Sequence, residues 1–215
     1  MSDAYSPPLD PLDIIHEDHE ILVVNKPTGL LSVPGRGEHL ADCLLSRITD
    51  AFPNALLVHR LDRDTSGIMI FALTAHAQRH LGQQFEKRQT KKTYVARVWG
   101  RLEPKVGEVD LPLIVDWPNR PKQIVDHENG KPAQTEWRVL KASDSESRVR
   151  LMPRTGRSHQ LRVHMQALGH PILGDPFYAD GPARAFDRLM LHSEELRVCH
   201  PDGGEGMRFR VKAPF

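Results

Sequence analysis

The run His59-Arg60-Leu61-Asp62-Arg63-Asp64-Thr65-Ser66-Gly67-Ile68-Met69-Ile70-Phe71-Ala72 decides how the chain is read. Its first half packs two arginines and two aspartates into five residues, then Thr-Ser-Gly. Its second half, Ile68 to Ala72, is a continuous apolar run of strand length that suits a buried sheet. A charged turn feeding a buried strand is anchored against the core while its side chains stay at a surface or cleft. A reactive carboxylate needs that placement. The same spacing also describes a solvated turn laced with ion pairs, and at this level both readings stand.

Working outward, Ile21 to Asn25 reads as a buried strand stopped by Lys26-Pro27, with turns at Gly29 and Pro34-Gly35. Leu40, Leu44, Leu45 and Ile48 recur at helical spacing, and Pro53 must end that helix. Thr74 is placed to cap a helix that carries Ala77, Leu81 and Phe85 on one face. Lys92 to Gly100 alternates as a half-buried strand, with Tyr94, Ala96 and Val98 on one side. The Pro- and Gly-rich stretch from Gly107 to Pro132 predicts an irregular excursion or hairpin. Thr135 to Leu140 and Ser147 to Leu151 predict a strand pair joined by a turn at Ser143 to Glu146. Ser158 is the expected N-cap of a helix with Leu161, Met165 and Leu168 inward, ended by Gly169. A short helix near Ala183 to Leu189 and strands at Leu196 to Cys199 and Phe209 to Lys212 complete the pattern. Many strands and few helices, in no regular βαβ rhythm, predict a mixed α+β domain. Residues 1–14 read as an extended, poorly ordered arm ahead of one domain spanning 15–215.

With 215 residues, 39% hydrophobic and 27% charged, the chain has the composition of an ordinary globular protein with a proper core. Cys43 and Cys199 are widely separated and form no CxxC, which predicts reduced thiols and a cytoplasmic location. No apolar run approaches the ~20 residues a bilayer span requires. Net charge is only +1, but its distribution is uneven. The first twenty residues hold six acids and no Lys or Arg; residues 148–162 hold five arginines and no acid. Between Lys87 and Lys105 seven basic residues face one acid. Two such segments suit either a polyanion surface or two solvated faces.

Phosphate-loop, dinucleotide and serine-elbow motifs are all missing. His159 and His164, five apart, do not share a helix face, so no metal is expected. Carboxylate chemistry beside basic and aromatic groups is what remains.

His59 to Gly67 closely resembles the HRLDxxTSG signature of the RluA-type pseudouridine synthases. Asn25 to Gly35 resembles the family's N-terminal motif, and Lys91-Lys92-Thr93-Tyr94-Val95-Ala96 its tyrosine motif. Arg154 to His164 resembles its arginine motif, and His170 to Asp175 with Leu191-His192-Ser193 close the set in order. Asp116 to Gln123 and Gly130 to Glu136 are similar to the branch that modifies both large-subunit ribosomal RNA and transfer RNA. The resemblance implies a pseudouridine-synthase-like domain of mostly antiparallel sheet, flanking helices and a basic active-site cleft. No S4 domain is expected, so the catalytic domain itself must recognise RNA.

It further implies an isomerase without cofactor or metal that flips a stem-loop uridine out of its stack; a monomer is expected. Asp62 would be the nucleophile, attacking C1′ or abstracting the C2′ proton. Arg157 would hold its carboxylate, and Tyr94 would stack on the target base. Leu191 would wall the pocket, and Arg60 would fill the vacated stack unless it pairs with Asp64. His59, Arg162 and Lys92 are the further expected RNA contacts. Two other classes fit an acidic turn: a retaining glycoside hydrolase with a second carboxylate, and a non-catalytic RNA-binding domain.

Overall fold

A computed structural model describes residues 5–215. The chain divides into two compact units, one of residues 5–91 and 193–214, the other of residues 92–192 and 215.

In the first unit, β1 (Ile14–Glu17) pairs antiparallel with β2 (Ile21–Lys26), and β2 pairs antiparallel with β4 (Ser66–Ala72). The two-residue β3 (Leu56–Leu57) lies along β4. Ile21 to Val24 and Ile68 to Ala72 have no exposed surface, so these strands are covered on both faces, as their unbroken apolar runs require. Gly67 sits at φ +112, and a β-carbon there would lie 2.3 Å from the Ser193 carbonyl; only glycine fits. Helix α1 (Leu44–Ala51) is capped by Cys43 and ends before Pro53, while Leu40 lies in a separate 3-10 turn. Helix α2 (Ala75–Glu86) has the expected Thr74 cap, whose Oγ1 accepts from Ala77 N–H at 3.0 Å and donates to Glu20. Ala77 and Leu81 pack with Ile68, Ile70 and Phe209.

Of the N-terminal arm, residues 1–4 lie outside the described residues. Tyr5 is tied in: its hydroxyl donates to Asp42 O and accepts from Leu31 N–H. β1 begins at Ile14.

In the second unit, β5 (Lys91–Trp99) pairs with β10 (Glu146–Pro153), β10 with β9 (Gln134–Ala142), and β9 with β6 (Val106–Asp110), all antiparallel. β7 (Leu113–Val115) and β8 (Gln123–Val125) form a separate hairpin. Sequence reading missed β6 because Gly107 looks like a turn residue. Its true role is close approach: a β-carbon there would lie 2.2 Å from the Trp137 ring. Helix α3 (Gln160–Ala167) is preceded not by a Ser158 cap but by His159 in the left-handed region, φ 53. The predicted helix at 183–189 is only the turn α4 (Gly181–Arg184). Beyond it, Met190 exchanges backbone hydrogen bonds with Arg97 and Leu173, which pulls the chain out of helix. β11 (Leu191–Cys199) begins five residues earlier than predicted and pairs with β12 (Gly206–Arg210) in the first unit.

Candidate active site

In the first unit the Asp62 bend is held from beneath by side chains of the 26–32 segment. Lys26 is wholly buried, and its ammonium donates to three carbonyls, Pro27 at 2.9 Å, Leu30 at 2.7 Å and Arg63 at 2.8 Å. Ser32 Oγ donates to Leu61 O at 2.7 Å and accepts from Leu61 N–H at 3.2 Å. Thr28 Oγ1 donates to Asp64 O at 2.6 Å. Thr65 N–H closes the turn on Asp62 O at 3.2 Å. The backbone on both sides of Asp62 is therefore fixed by charged and neutral hydrogen bonds, and the orientation of its side chain is inherited from that backbone. Lys26, Thr28 and Ser32 lie in the N-terminal motif, yet spacing alone gave them no partner.

His59, expected to touch RNA, is used internally. Its Nε2 accepts from Ile70 N–H at 3.1 Å, so that nitrogen carries no proton, and its ring stacks on Phe85 at 4.7 Å. The side chain continues the pairing along β4 where β3 stops. Arg60 is exposed and makes no ion pair among the described residues. Its alternative partner Asp64 is taken by Arg63 at 2.8 Å.

In the second unit Tyr94 lies on β5 opposite Leu151, half-buried against the core formed by Ala96, Val98, Val149 and Leu151. Leu191, the expected pocket wall, is 2% exposed within that core. The loop from Arg154 to His159 is organised by Gln160. Its Oε1 accepts from Thr155 Oγ1 at 2.7 Å and from Arg157 N–H at 3.0 Å; its Nε2 donates to Gln134 O and Thr135 Oγ1. All four hydrogen-bonding valences of that amide are used, and they fix the loop ahead of α3. Thr135 and His164 extend the network to Leu111 O. Burial pulls the His164 imidazole below its ordinary pKa.

The two arginines of the motif differ in burial and in partner. Arg157, expected to hold a carboxylate, is exposed, and its Nε donates to Pro132 O at 3.1 Å. Arg162, expected on phosphates, is 2% exposed, with Nε and Nη2 each 2.7 Å from the Asp175 carboxylate, itself at 0%. Asp175 Oδ1 also accepts from Phe177 and Tyr178 N–H, and both rings lie beside the guanidinium. A guanidinium so enclosed is oriented, not a surface contact. Part of each basic segment is neutralised: Arg97 pairs with Glu146, Arg101 with Asp144 and Arg154 with Glu136. Their acids, two on β9 and β10 and one in the turn between them, lie outside the segments that the linear charge count compared.

Among the described residues no three His, Cys, Asp or Glu side chains are grouped to hold a metal ion, and no helix is long and apolar enough to cross a membrane.

Comparison with known proteins bears on these motifs directly. The family model described as RNA pseudouridylate synthase matches residues 20–167. The dual-specificity RNA pseudouridine synthase RluA of Escherichia coli K12 is 58% identical over 214 residues, covering 98% of either chain. Its counterpart in Yersinia pestis is 55% identical over 204 residues, 94% of this chain and 99% of that one. Among solved structures, human RNA pseudouridylate synthase domain containing 1 superposes with a TM-score of 0.80 at 31% identity, covering 98% of this chain and 86% of that one. Both the sequence and the α+β fold of this chain are thus shared end to end with enzymes of one kind: it belongs to the RNA pseudouridylate synthase family, isomerases that act on RNA.

Proposed function

We propose that Asp62 is the carboxylate that opens the reaction, and that the substrate is a stem-loop uridine of large-subunit ribosomal RNA, transfer RNA or both. The observation that carries this reading is the bend itself. An acidic side chain sits on backbone clamped by Lys26, Ser32 and Thr28, each of which donates to a carbonyl of the bend. Such support is what a group needs when it must meet a reacting atom within a fraction of an ångström.

Isomerisation breaks the bond between ribose C1′ and uracil N1 and forms one from C1′ to C5. The C5 proton is released and N1 takes one up, so the net change is an isomerisation in which the residues stabilise a detached base and return it rotated. Two routes are open to the carboxylate, addition at C1′ and removal of the C2′ proton. Tyr94, half-buried on a rigid strand, suits stacking on uracil. Arg162, buried and oriented, suits steadying the charge of the reaction; Arg157 and Arg60, both exposed, suit RNA phosphates and the gap left by the everted base. A location in the cytoplasm fits the two free thiols, Cys43 and Cys199.

The test is tritium release from RNA labelled at uridine C5. Asp62→Asn should abolish release while RNA affinity stays within about threefold of the parent protein. Retained turnover in that variant removes Asp62 from the chemistry. Release of free uracil would point instead to glycosidic hydrolysis.

A further inference from the structure

We infer that Lys92 is a built single-phosphate site, taking one backbone phosphate of the RNA next to the base held by Tyr94. This rests on the proposed stacking role of Tyr94 and specifies what lies beside it. Lys92 and Tyr94 are two apart on β5 and therefore share the face that continues into Ala96 and Val98 in the core. The stem of Lys92 is drawn inward, and burial alone pushes its ammonium below the ordinary lysine pKa. The Nζ lies 3.5 Å from where a β-carbon on Gly156 would stand, over the backbone of the Thr155–Ser158 loop.

Among the described residues this ammonium has no hydrogen-bond acceptor and no carboxylate. The contrast with Lys26 is direct. That lysine is more deeply buried yet donates to three carbonyls. Nearby, Arg97 on β5 and Arg154 just beyond β10 each hold an acid. A desolvated cation without a counter-ion costs stability, so its place is explained by an anion that arrives with the substrate. Lysine supplies a compact point charge, which suits one phosphodiester rather than bidentate recognition.

The experiment is RNA stem-loop binding across 50–200 mM salt, measured in an Asp62→Asn background so that turnover does not intervene. Lys92→Met keeps the apolar stem and removes the charge. It should weaken binding about tenfold, reduce the slope of log affinity against log salt by about 0.7–0.9, and melt at or above the temperature of the parent. Lys92→Arg should restore the slope. An unchanged slope in Lys92→Met, or a lowered melting temperature, overturns the assignment and makes Lys92 a structural residue. Free inorganic phosphate competing equally with both proteins would also overturn it. Continued tritium release in the Asp62→Asn background would defeat the reading of Asp62, leaving the salt slope to decide Lys92 by itself.

Discussion

Replacing Lys26 by methionine tests whether the clamp beneath the Asp62 bend is what makes the bend reactive. Methionine matches the length of the lysine stem, so packing is nearly preserved while the ammonium is lost. Three carbonyls, the buried one of Leu30 and the part-buried ones of Pro27 and Arg63, then lose a charged donor. At about 1–3 kcal/mol for each stranded acceptor, the gross loss is roughly 3–9 kcal/mol. Relief from burying an ammonium at 0% exposure offsets several kcal/mol of this. A net destabilisation of about 3 kcal/mol results, or a melting temperature lowered by roughly 6–12 °C for a chain of this size. Arg63 O is the only one of the three acceptors on the bend, so function should suffer beyond stability. Turnover measured well below the melting point should fall at least tenfold while RNA affinity holds. Thermal melting and tritium release on the same preparation separate the two effects. A Lys26→Met protein that melts within about 2 °C of the parent and keeps full turnover would refute the clamp.

Two other outcomes follow from charges elsewhere in the fold. Burial opposes ionisation of Asp18, but hydrogen bonds from His16 and from the N–H groups of Glu20 and Ile21, with the nearby charge of His200, hold its pKa at about 2. A lowered carboxylate stabilises the fold above its unfolded value of 3.8 and loses that contribution as pH falls towards 2. With the side chain 24% exposed, solvent screening leaves about 1–2 kcal/mol. Urea midpoints at pH 5 and pH 2.5 should converge in Asp18→Asn relative to the parent, and an unaltered difference defeats the prediction. For the buried Arg162–Asp175 pair, Asp175→Asn should cost about 3–5 kcal/mol, and Arg162→Met with Asp175→Leu should recover most of it. If that double variant also regains turnover, Arg162 is structural only.

Local rules were legible wherever the deciding partners were near in sequence. The Thr74 cap is three residues from the N–H it serves, and the buried strand at Ile68 to Ala72 declares itself by an unbroken apolar run. Gly169 ends α3 as expected, in the left-handed conformation glycine tolerates. Failures began where a remote residue intervened. Gly107 belongs to a strand because the Trp137 ring covers it, and residues beyond α4 leave the helix because Met190 pairs with Arg97 and Leu173. Ser158 met every local criterion for a cap, but His159 in the left-handed conformation takes the N-cap position instead.

By itself the amino-acid sequence determined the chemical inventory: an acidic bend ahead of a buried strand, a tyrosine strand, an arginine-rich loop, and through their order the family. Tertiary structure decided how the charges are used. Arg162 became the enclosed guanidinium and Arg157 the exposed one because Asp175, thirteen residues further on, folds back against the first. His59 became an acceptor for β4, and Lys26 the support of the bend, through contacts 11 and 37 residues away. The reason is physical. Backbone preference is set by neighbours within a few residues, whereas the burial of a charge and its counter-ion are set by whatever the completed fold brings against it.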